Sequence, residues 1–385
     1  MKQISFIFLA FLFWVPCWAQ IIYGANNYTE YHKGSLPVVI SVPHGGYLTP
    51  TSIPDRTCNS AVTVTDANTI ELAQQIDSAF WIATGCHPSI IYCNLHRAKL
   101  DCNRNLSDGA CGNAIAENAW HEFNDFIDSA QVAAKNAWGG KAFYIDLHGH
   151  GNPIQRLELG YLLYDNELDF TDSVLNTPQY IGYSTIQNLV ATNINGYKHA
   201  QLLRGTYALG TLFGNAGYPS VPSAQIPAPG TTTNYYSGGY NAANHTSYAL
   251  NNTVNGLQIE CNYTNVRDNY LNRKIFADSL VAVLKNYLSI HQNIHFATCN
   301  PAAIHSVPTE TAVHIYPNPA TNIIEIEGIS TSGYFEVEII NLVGTTLMKA
   351  SNQTQLLIDA FPKGMYLLKL TEANHKVSIF KFNIQ

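Results

Sequence analysis

Apolar positions follow two rhythms over the first three quarters of the chain. Short runs rich in β-branched and aromatic residues end on glycine or polar residues: LPVVISVPHGG (Leu36–Gly46), PSIIYCNLHR (Pro88–Arg97), AFYIDLHGHG (Ala142–Gly151) and GLQIECN (Gly256–Asn262). Their length and composition predict buried strands. Between them apolar residues recur at helical spacing. Ile70, Ala73, Ile76 and Phe80 stripe a segment that stops at Gly85, and Trp120, Phe123, Ile127 and Ala130 stripe one that stops at Gly139 and Gly140. Leu271, Ile275, Leu280, Leu284 and Leu288 mark a third, from about Arg267 to His291. The glycine stops fit helix C-termini. Strands alternating with helices from about Ile21 to Gln292 predict an α/β fold, its sheet mainly parallel or mixed and flanked by helices.

Two stretches break this pattern. Gly205–Tyr248 is dense in Gly, Pro, Ser, Thr, Asn and Tyr, and reads either as a surface excursion or as loops that shape a pocket. Residues 297–313 lack apolar periodicity and read as a linker. Beyond them, over residues 314–385, short alternating strands separated by turns predict a small antiparallel β-sandwich. The expected division is a leader over 1–19, a chemistry-bearing domain over 20–296, the linker, and the sandwich.

Composition narrows the functional classes. With 20 Lys and Arg against 27 acidic residues, a net charge of -7 and no basic run, nucleic-acid binding has no electrostatic support. MKQISFIFLAFLFWVPCWAQ has the order of a secretory leader cleaved after Ala19. Its apolar stretch, Ile4–Val15, is short of the roughly 20 residues of a spanning helix, and no later segment is long and apolar enough, so no transmembrane span is expected in the mature chain. WVPC lacks the small residues that precede a lipid-modified cysteine. Without Cys17, seven of the 8 cysteines are left, and in an oxidising compartment most should pair, with an odd one over. Cys102 with Cys111 and Cys86 with Cys93 are the local candidates. No CxxC spacing supports a thiolate zinc site.

Four polar residues stand where the predicted strands end: His44, Arg97, His148 and Glu260. Ligands bind beyond the carboxyl ends of strands in open α/β sheets, so their recurrence there points to one shared site. Neutral imidazoles suit zinc, and a catalytic zinc takes three protein ligands. His44 and His148 are two candidates, and Asp66 in TVTDANT is the best third, with a helix N-cap as its alternative role. Asp146 and His150 share a strand face with His148. Asp146 is assigned to support of the ligand or to local structure, and His150 to the pocket lining. Arg97, Asp101, Asn103 and Arg104 in LHRAKLDCNRN form either a salt-bridged loop or a clamp for a substrate carboxylate or developing oxyanion. Arg204 is a second candidate clamp. Glu260, in an apolar strand, needs a cation or a proton nearby, and a carboxylate beside a metal suits a general base. HEFND (His121–Asp125) reads as helix surface, and neither GxSxG, nor a P-loop, nor a dinucleotide fingerprint is present.

Two resemblances follow from these residues. IYPNPATN, GMYLLKL and the terminal KVSIFKFNIQ resemble the C-terminal sorting domain of the type IX secretion system of Bacteroidetes. This implies export through the periplasm, engagement of the type IX machinery, and release or surface attachment. SVPHGG, TDANT, LHRAKLDCNR, IDLHGHG and LQIEC, in that order, resemble the N-formylglutamate amidohydrolase family, whose fold is related to zinc carboxypeptidases. That resemblance implies one zinc ion held by His44, Asp66 and His148, with Glu260 as general base. It further implies Arg104 with Asn103 as substrate-binding or oxyanion-stabilising groups, and Tyr240 as a pocket contact. The expected function is a secreted zinc amidohydrolase that cleaves an amide beside a carboxylate, in an N-acyl or N-formyl amino acid or a small peptide. A carboxypeptidase or cell-wall peptide amidase on the same fold, and a non-catalytic surface-binding protein, are the alternatives.

Overall fold

The computed structural model describes residues 20–58, 61–230, 234–296, 313–327, 329, 334–341, 345–372 and 377–385. Contacts divide the chain into two compact units, Met1–Asn300 and Pro301–Gln385. The expected leader, and the expected linker up to residue 312, lie outside the described residues.

The first unit is built on an eight-stranded sheet. Its strands are β1 (Ile21–Tyr23), β2 (Thr29–His32), β3 (Val38–Val42), β4 (Ser89–Cys93), β5 (Phe143–His150), β6 (Leu157–Gly160), β7 (Ser220–Val221) and β8 (Asn255–Asn262), in the order β1-β2-β4-β3-β5-β8-β6-β7. The four strands read from sequence, β4, β3, β5 and β8, form the parallel centre. Antiparallel β2 and β6 flank it, so the sheet is mixed. In the register of β5 with β8, His148 lies opposite Glu260, and both strands end at the same edge.

Alternation along the strands divides the core. Val38, Ile40 and Val42 face a cluster with Leu72, Ile76 and Phe80 of the helix Thr69–Thr84, and with Leu280 and Leu284 of the helix Tyr270–Gln292. Val39 and Tyr144 face the other side, against Phe123 and Ile127 of the helix Ala114–Ala137. These side chains have essentially no exposed surface. Each large one contributes about 1.5–3 kcal/mol by leaving water, so both faces of the sheet are firmly covered. The helix ends obey local chemistry. Asn113 caps Ala114–Ala137 by accepting from the Ile115 and Ala116 amides, and Gly85 ends Thr69–Thr84 at a φ of 67°. After β3 the chain turns at His44 and lies against the extension of β4. A side chain at Gly46 would overlap the Asn94 backbone there.

The second unit has β9 (His314–Tyr316), β10 (Ile323–Glu327), β11 (Phe335–Asn341), β12 (Thr346–Ser351), β13 (Gln355–Leu357), β14 (Gly364–Glu372) and β15 (Val377–Ile384). They form two antiparallel sheets, β13-β10-β9 and β12-β11-β14-β15, around a core that includes Ile324, Val337, Leu356, Leu368 and Phe382. The α/β fold class with an added all-β unit is the one the apolar patterning predicts.

The cysteine pairing differs from expectation. Cys58 is bonded to Cys111, and Cys86 also lies in a disulfide, while Cys93, Cys102 and Cys261 carry free, buried thiols. The local pairs Cys102–Cys111 and Cys86–Cys93 therefore do not form. Cys93 and Cys102 point into the core beside the helix Ala114–Ala137, whereas Cys111 sits in a left-handed turn that reaches across to Cys58.

Candidate metal centre

Three segments deliver the central residues. His44 stands two positions beyond β3, Asp66 precedes the helix Thr69–Thr84, and His148 lies near the end of β5. All three are buried. Asp66 does not cap its helix: Asn68 occupies that position, and the Asp66 carboxylate turns to the histidines. Its Oδ2 lies 3.4 Å from His44 Nδ1 and 3.1 Å from His148 Nδ1, and accepts from the Gly149 amide at 3.1 Å. The Asp66 amide in turn donates to His44 O at 3.0 Å, which ties the loop to the end of β3.

Both imidazoles are held from behind. His44 Nε2 donates to Asp101 Oδ1 at 2.6 Å, and His148 Nε2 donates to Asp146 Oδ2 at 2.8 Å. An ionised carboxylate only accepts, so each Nε2 carries a hydrogen, and each Nδ1, which faces Asp66 Oδ2, is the nitrogen left to hold either a second proton or a metal ion. The anchors are themselves fixed. Asp101 accepts from the Asn103 amide at 3.0 Å and from Arg97 Nε at 3.0 Å; Asp146 accepts from Ser41 Oγ at 2.6 Å and Asn241 Nδ2 at 3.2 Å. Such carboxylate–histidine pairs set ring orientation and raise ligand basicity.

The electrostatics call for a cation. Burial alone would raise the pKa of Asp66, yet His44 and His148 hold it well below the usual carboxylate range. Burial would likewise lower that of His148, but Asp146, Asp66 and Glu260 drive it well above the ordinary imidazole value. Two imidazole Nδ1 atoms and a carboxylate oxygen thus converge on a point that attracts positive charge, whether as protons on the imidazoles or as a metal ion in their place. His44, Asp66 and His148 form a buried group able to hold a metal ion, their donor atoms within 4.8 Å of one another.

Glu260 completes the edge from β8. Its Oε1 lies 4.0 Å from His148 Nδ1 and accepts from Gln258 Nε2 at 2.9 Å. Burial, assisted by Asp66 and Glu158 and opposed by the two histidines, pushes its pKa up to about 7. Glu158 is its cross-strand partner on β6.

A cavity of about 460 Å³ opens over these groups, walled by Arg97, Asn103, Arg104, Tyr236, Tyr240 and Gln258. Arg104 has a side chain 43% exposed, with its Nε 3.9 Å from Asp101, and so keeps hydrogen-bonding capacity for a ligand. Arg97 is committed inward, to Asp101 Oδ2 at 3.0 Å and Asp66 Oδ1 at 3.6 Å. Asn103 joins the helix Tyr240–Asn244 to β8: its Oδ1 accepts from the Asn241 amide at 2.9 Å and its Nδ2 donates to Gln258 Oε1 at 3.2 Å. Tyr240 leans on Trp120, whose Nε1 donates to Arg104 O at 2.9 Å.

Two expected residues lie elsewhere. Arg204 donates to Leu168 O, Phe170 O and Asp172 Oδ1, each at 2.7 Å, and is absent from the cavity wall. His150 is turned into the protein, with Nε2 donating to Arg156 O at 2.8 Å and Nδ1 accepting from the Asn152 amide at 3.1 Å. It faces a loop rather than the pocket. Conversely, Asp101 emerges as the anchor of His44, and Gln258 and Asn241 as partners of Glu260 and Asp146. Asp101 stands inside the quoted LHRAKLDCNRN, whereas Gln258 and Asn241 carry no chemical signal of their own.

Residues 314–385 match the model of the secretion system C-terminal sorting domain. That tail marks the chain for secretion or attachment at the cell surface, and for contact with the type IX machinery. No helix among the described residues is long and apolar enough to cross a membrane. No curated protein sequence matches the chain. Among solved structures, the N-formylglutamate amidohydrolase from Ralstonia eutropha JMP134 is similar over 66% of this chain and 94% of its own, with a TM-score of 0.40 and 14% identity.

Proposed function

We propose that this chain is an exported zinc-dependent amidohydrolase that cleaves an amide beside a carboxylate, in an N-acyl amino acid or a small peptide. The observation that carries the reading is the convergence of His44 Nδ1, His148 Nδ1 and Asp66 Oδ2, with each imidazole backed by a carboxylate and Glu260 alongside. Two imidazoles and one carboxylate are a donor set typical of catalytic zinc with an open fourth position. A zinc ion held by His44, Asp66 and His148 would polarise a carbonyl and bring the pKa of water down to about 7.

The chain's own groups supply the rest. Glu260, whose apolar surroundings raise its proton affinity, takes a proton from the attacking water and returns it to the leaving nitrogen. Arg104 presents its guanidinium to the substrate carboxylate from the cavity wall. Arg97 stays with Asp66 and Asp101 and, behind His44, helps to keep Asp101 ionised. Asn103 and Tyr240 hold the wall in place, and Asp101 and Asp146, by taking the Nε2 hydrogens, keep both Nδ1 atoms aimed inward.

The test is metal analysis of the purified chain, together with hydrolysis of a panel of N-acyl amino acids and short peptides. One zinc per chain is expected. Glu260→Gln should retain the metal while losing on the order of 10²- to 10⁴-fold in turnover. A chain that neither holds zinc nor cleaves any amide ends the reading, and a fully active Glu260→Gln ends the base assignment alone.

A further inference from the structure

We infer that Arg267 is a positioning residue for this centre: its one guanidinium fixes the spacing of the three backbone segments that carry Asp66, His148 and Glu260. The inference rests on the metal-site reading above. Arg267 Nε donates to Cys261 O at 3.0 Å, Nη2 donates to His150 O at 2.9 Å, and Nη1 donates to Ala67 O. Ala67 follows Asp66, His150 is two residues beyond His148, and Cys261 follows Glu260. The three acceptors thus come from one loop and from the ends of two neighbouring strands. No single sheet ladder joins all three, so a planar fork of five donors performs a task that regular secondary structure does not.

The guanidinium is itself held. Arg267 is 3% exposed, its carbonyl accepts from Asn68 Nδ2 at 2.8 Å and Arg273 Nη1 at 2.9 Å, and its cation lies 5.5 Å from the centre of the Tyr263 ring. Gly149 provides independent support. A Cβ at Gly149 would fall on the Arg267 guanidinium, so the glycine between the two histidines of HGHG leaves room for this group. Asp66 is therefore fastened to β5 twice, by the Gly149 amide on its carboxylate and by Arg267 on the next carbonyl.

A purely structural arginine would affect stability and leave ligand spacing alone, so the experiment separates the two. Zinc affinity is measured by competition with a chromophoric chelator, and ligand geometry by the visible spectrum of the cobalt-loaded chain, for wild type, Arg267→Lys and Arg204→Lys. Arg204 also donates to two carbonyls, but outside the cavity wall, and so controls for the general loss of a carbonyl-bound arginine. A lysine ammonium cannot reproduce the fork, so Arg267→Lys should fold yet bind zinc about 10- to 100-fold more weakly, with altered cobalt bands. Arg204→Lys should keep wild-type affinity. Gly149→Ala is the second variant, expected to shift affinity and spectrum the same way with Arg267 intact. Wild-type affinity and bands in folded Arg267→Lys overturn the inference, as does failure of both variants to fold. A wild type that binds neither metal instead removes the metal reading itself.

Discussion

Replacing Asp101 by asparagine tests the tautomer logic on which the centre depends. The carboxylate is fully buried and divides its work between two oxygens. Oδ1 accepts from His44 Nε2 at 2.6 Å and the Asn103 amide at 3.0 Å, while Oδ2 accepts from Arg97 Nε at 3.0 Å with Arg56 Nη1 at 3.7 Å. Asparagine has one acceptor oxygen. If that oxygen faces His44, the amide NH₂ meets Arg97 and Arg56, donor against cation. If it faces the arginines, NH₂ donates to His44 Nε2, the neutral imidazole keeps its one proton on Nδ1, and that nitrogen is no longer open to a metal ion. Either orientation forfeits a charge-assisted hydrogen bond of about 1.5–3 kcal/mol. Loss of an anchor of this kind weakens metal binding about 10- to 100-fold, or about 1.4–2.7 kcal/mol. Chelator competition on Asp101→Asn should show that loss, and melting of the metal-free variant should show a separate loss of stability from the under-compensated arginines. A folded Asp101→Asn with unchanged zinc affinity would refute the reasoning.

Three further outcomes are expected. His199 is fully buried, donates Nδ1–H to Leu175 O at 2.7 Å, and has its pKa pushed down to about 4 by burial. The unfolded chain takes up this proton below about 6.5 and the folded chain only below about 4, so the contribution is whole above pH 6.5 and fades as pH falls toward 4, with a ceiling of about 3 kcal/mol. Urea midpoints should fall across that window more steeply for wild type than for His199→Gln, and identical slopes would exclude the effect. The Cys58–Cys111 bond spans 53 residues, so the double serine variant should lose up to about 4 kcal/mol, read as a lower melting temperature; an unchanged melt would contradict this. Deletion of residues 314–385 should leave the chain inside the cell envelope, and its appearance in the medium on fractionation would count against the tail as the export signal.

Much of the fold was legible because the central strands and long helices carry strong periodicity. The edge of the sheet was not: β1 has three residues and β7 has two, too few for a pattern. Within the turn-rich Gly205–Tyr248 the composition concealed the helices Leu209–Asn215 and Tyr240–Asn244, while Tyr240, expected as a pocket contact, lines the cavity together with Tyr236. His44, His148 and Glu260 stood out as chemically odd residues in apolar runs, and the structure brings them together with Asp66. Asp101 suggested a loop ion pair with its arginine neighbours, whereas the nearer partner is His44, 57 positions away. Arg267 left no sequence signal because its partners are backbone carbonyls, which every residue possesses. Arg204 and His150 were misplaced for one reason. Composition and strand parity say which face a side chain leaves from, but not which carbonyl waits for it.

The free cysteines have a kinetic meaning. Cys93, Cys102 and Cys261 have no exposed surface, and burial drives the thiols of Cys102 and Cys261 away from the reactive thiolate, that of Cys261 up to about 12. In an oxidising environment such thiols are protected by inaccessibility rather than by pairing. They react when the sheet opens, which makes an alkylating reagent a clock: labelling of the three sites timestamps the first breach of the core around the centre.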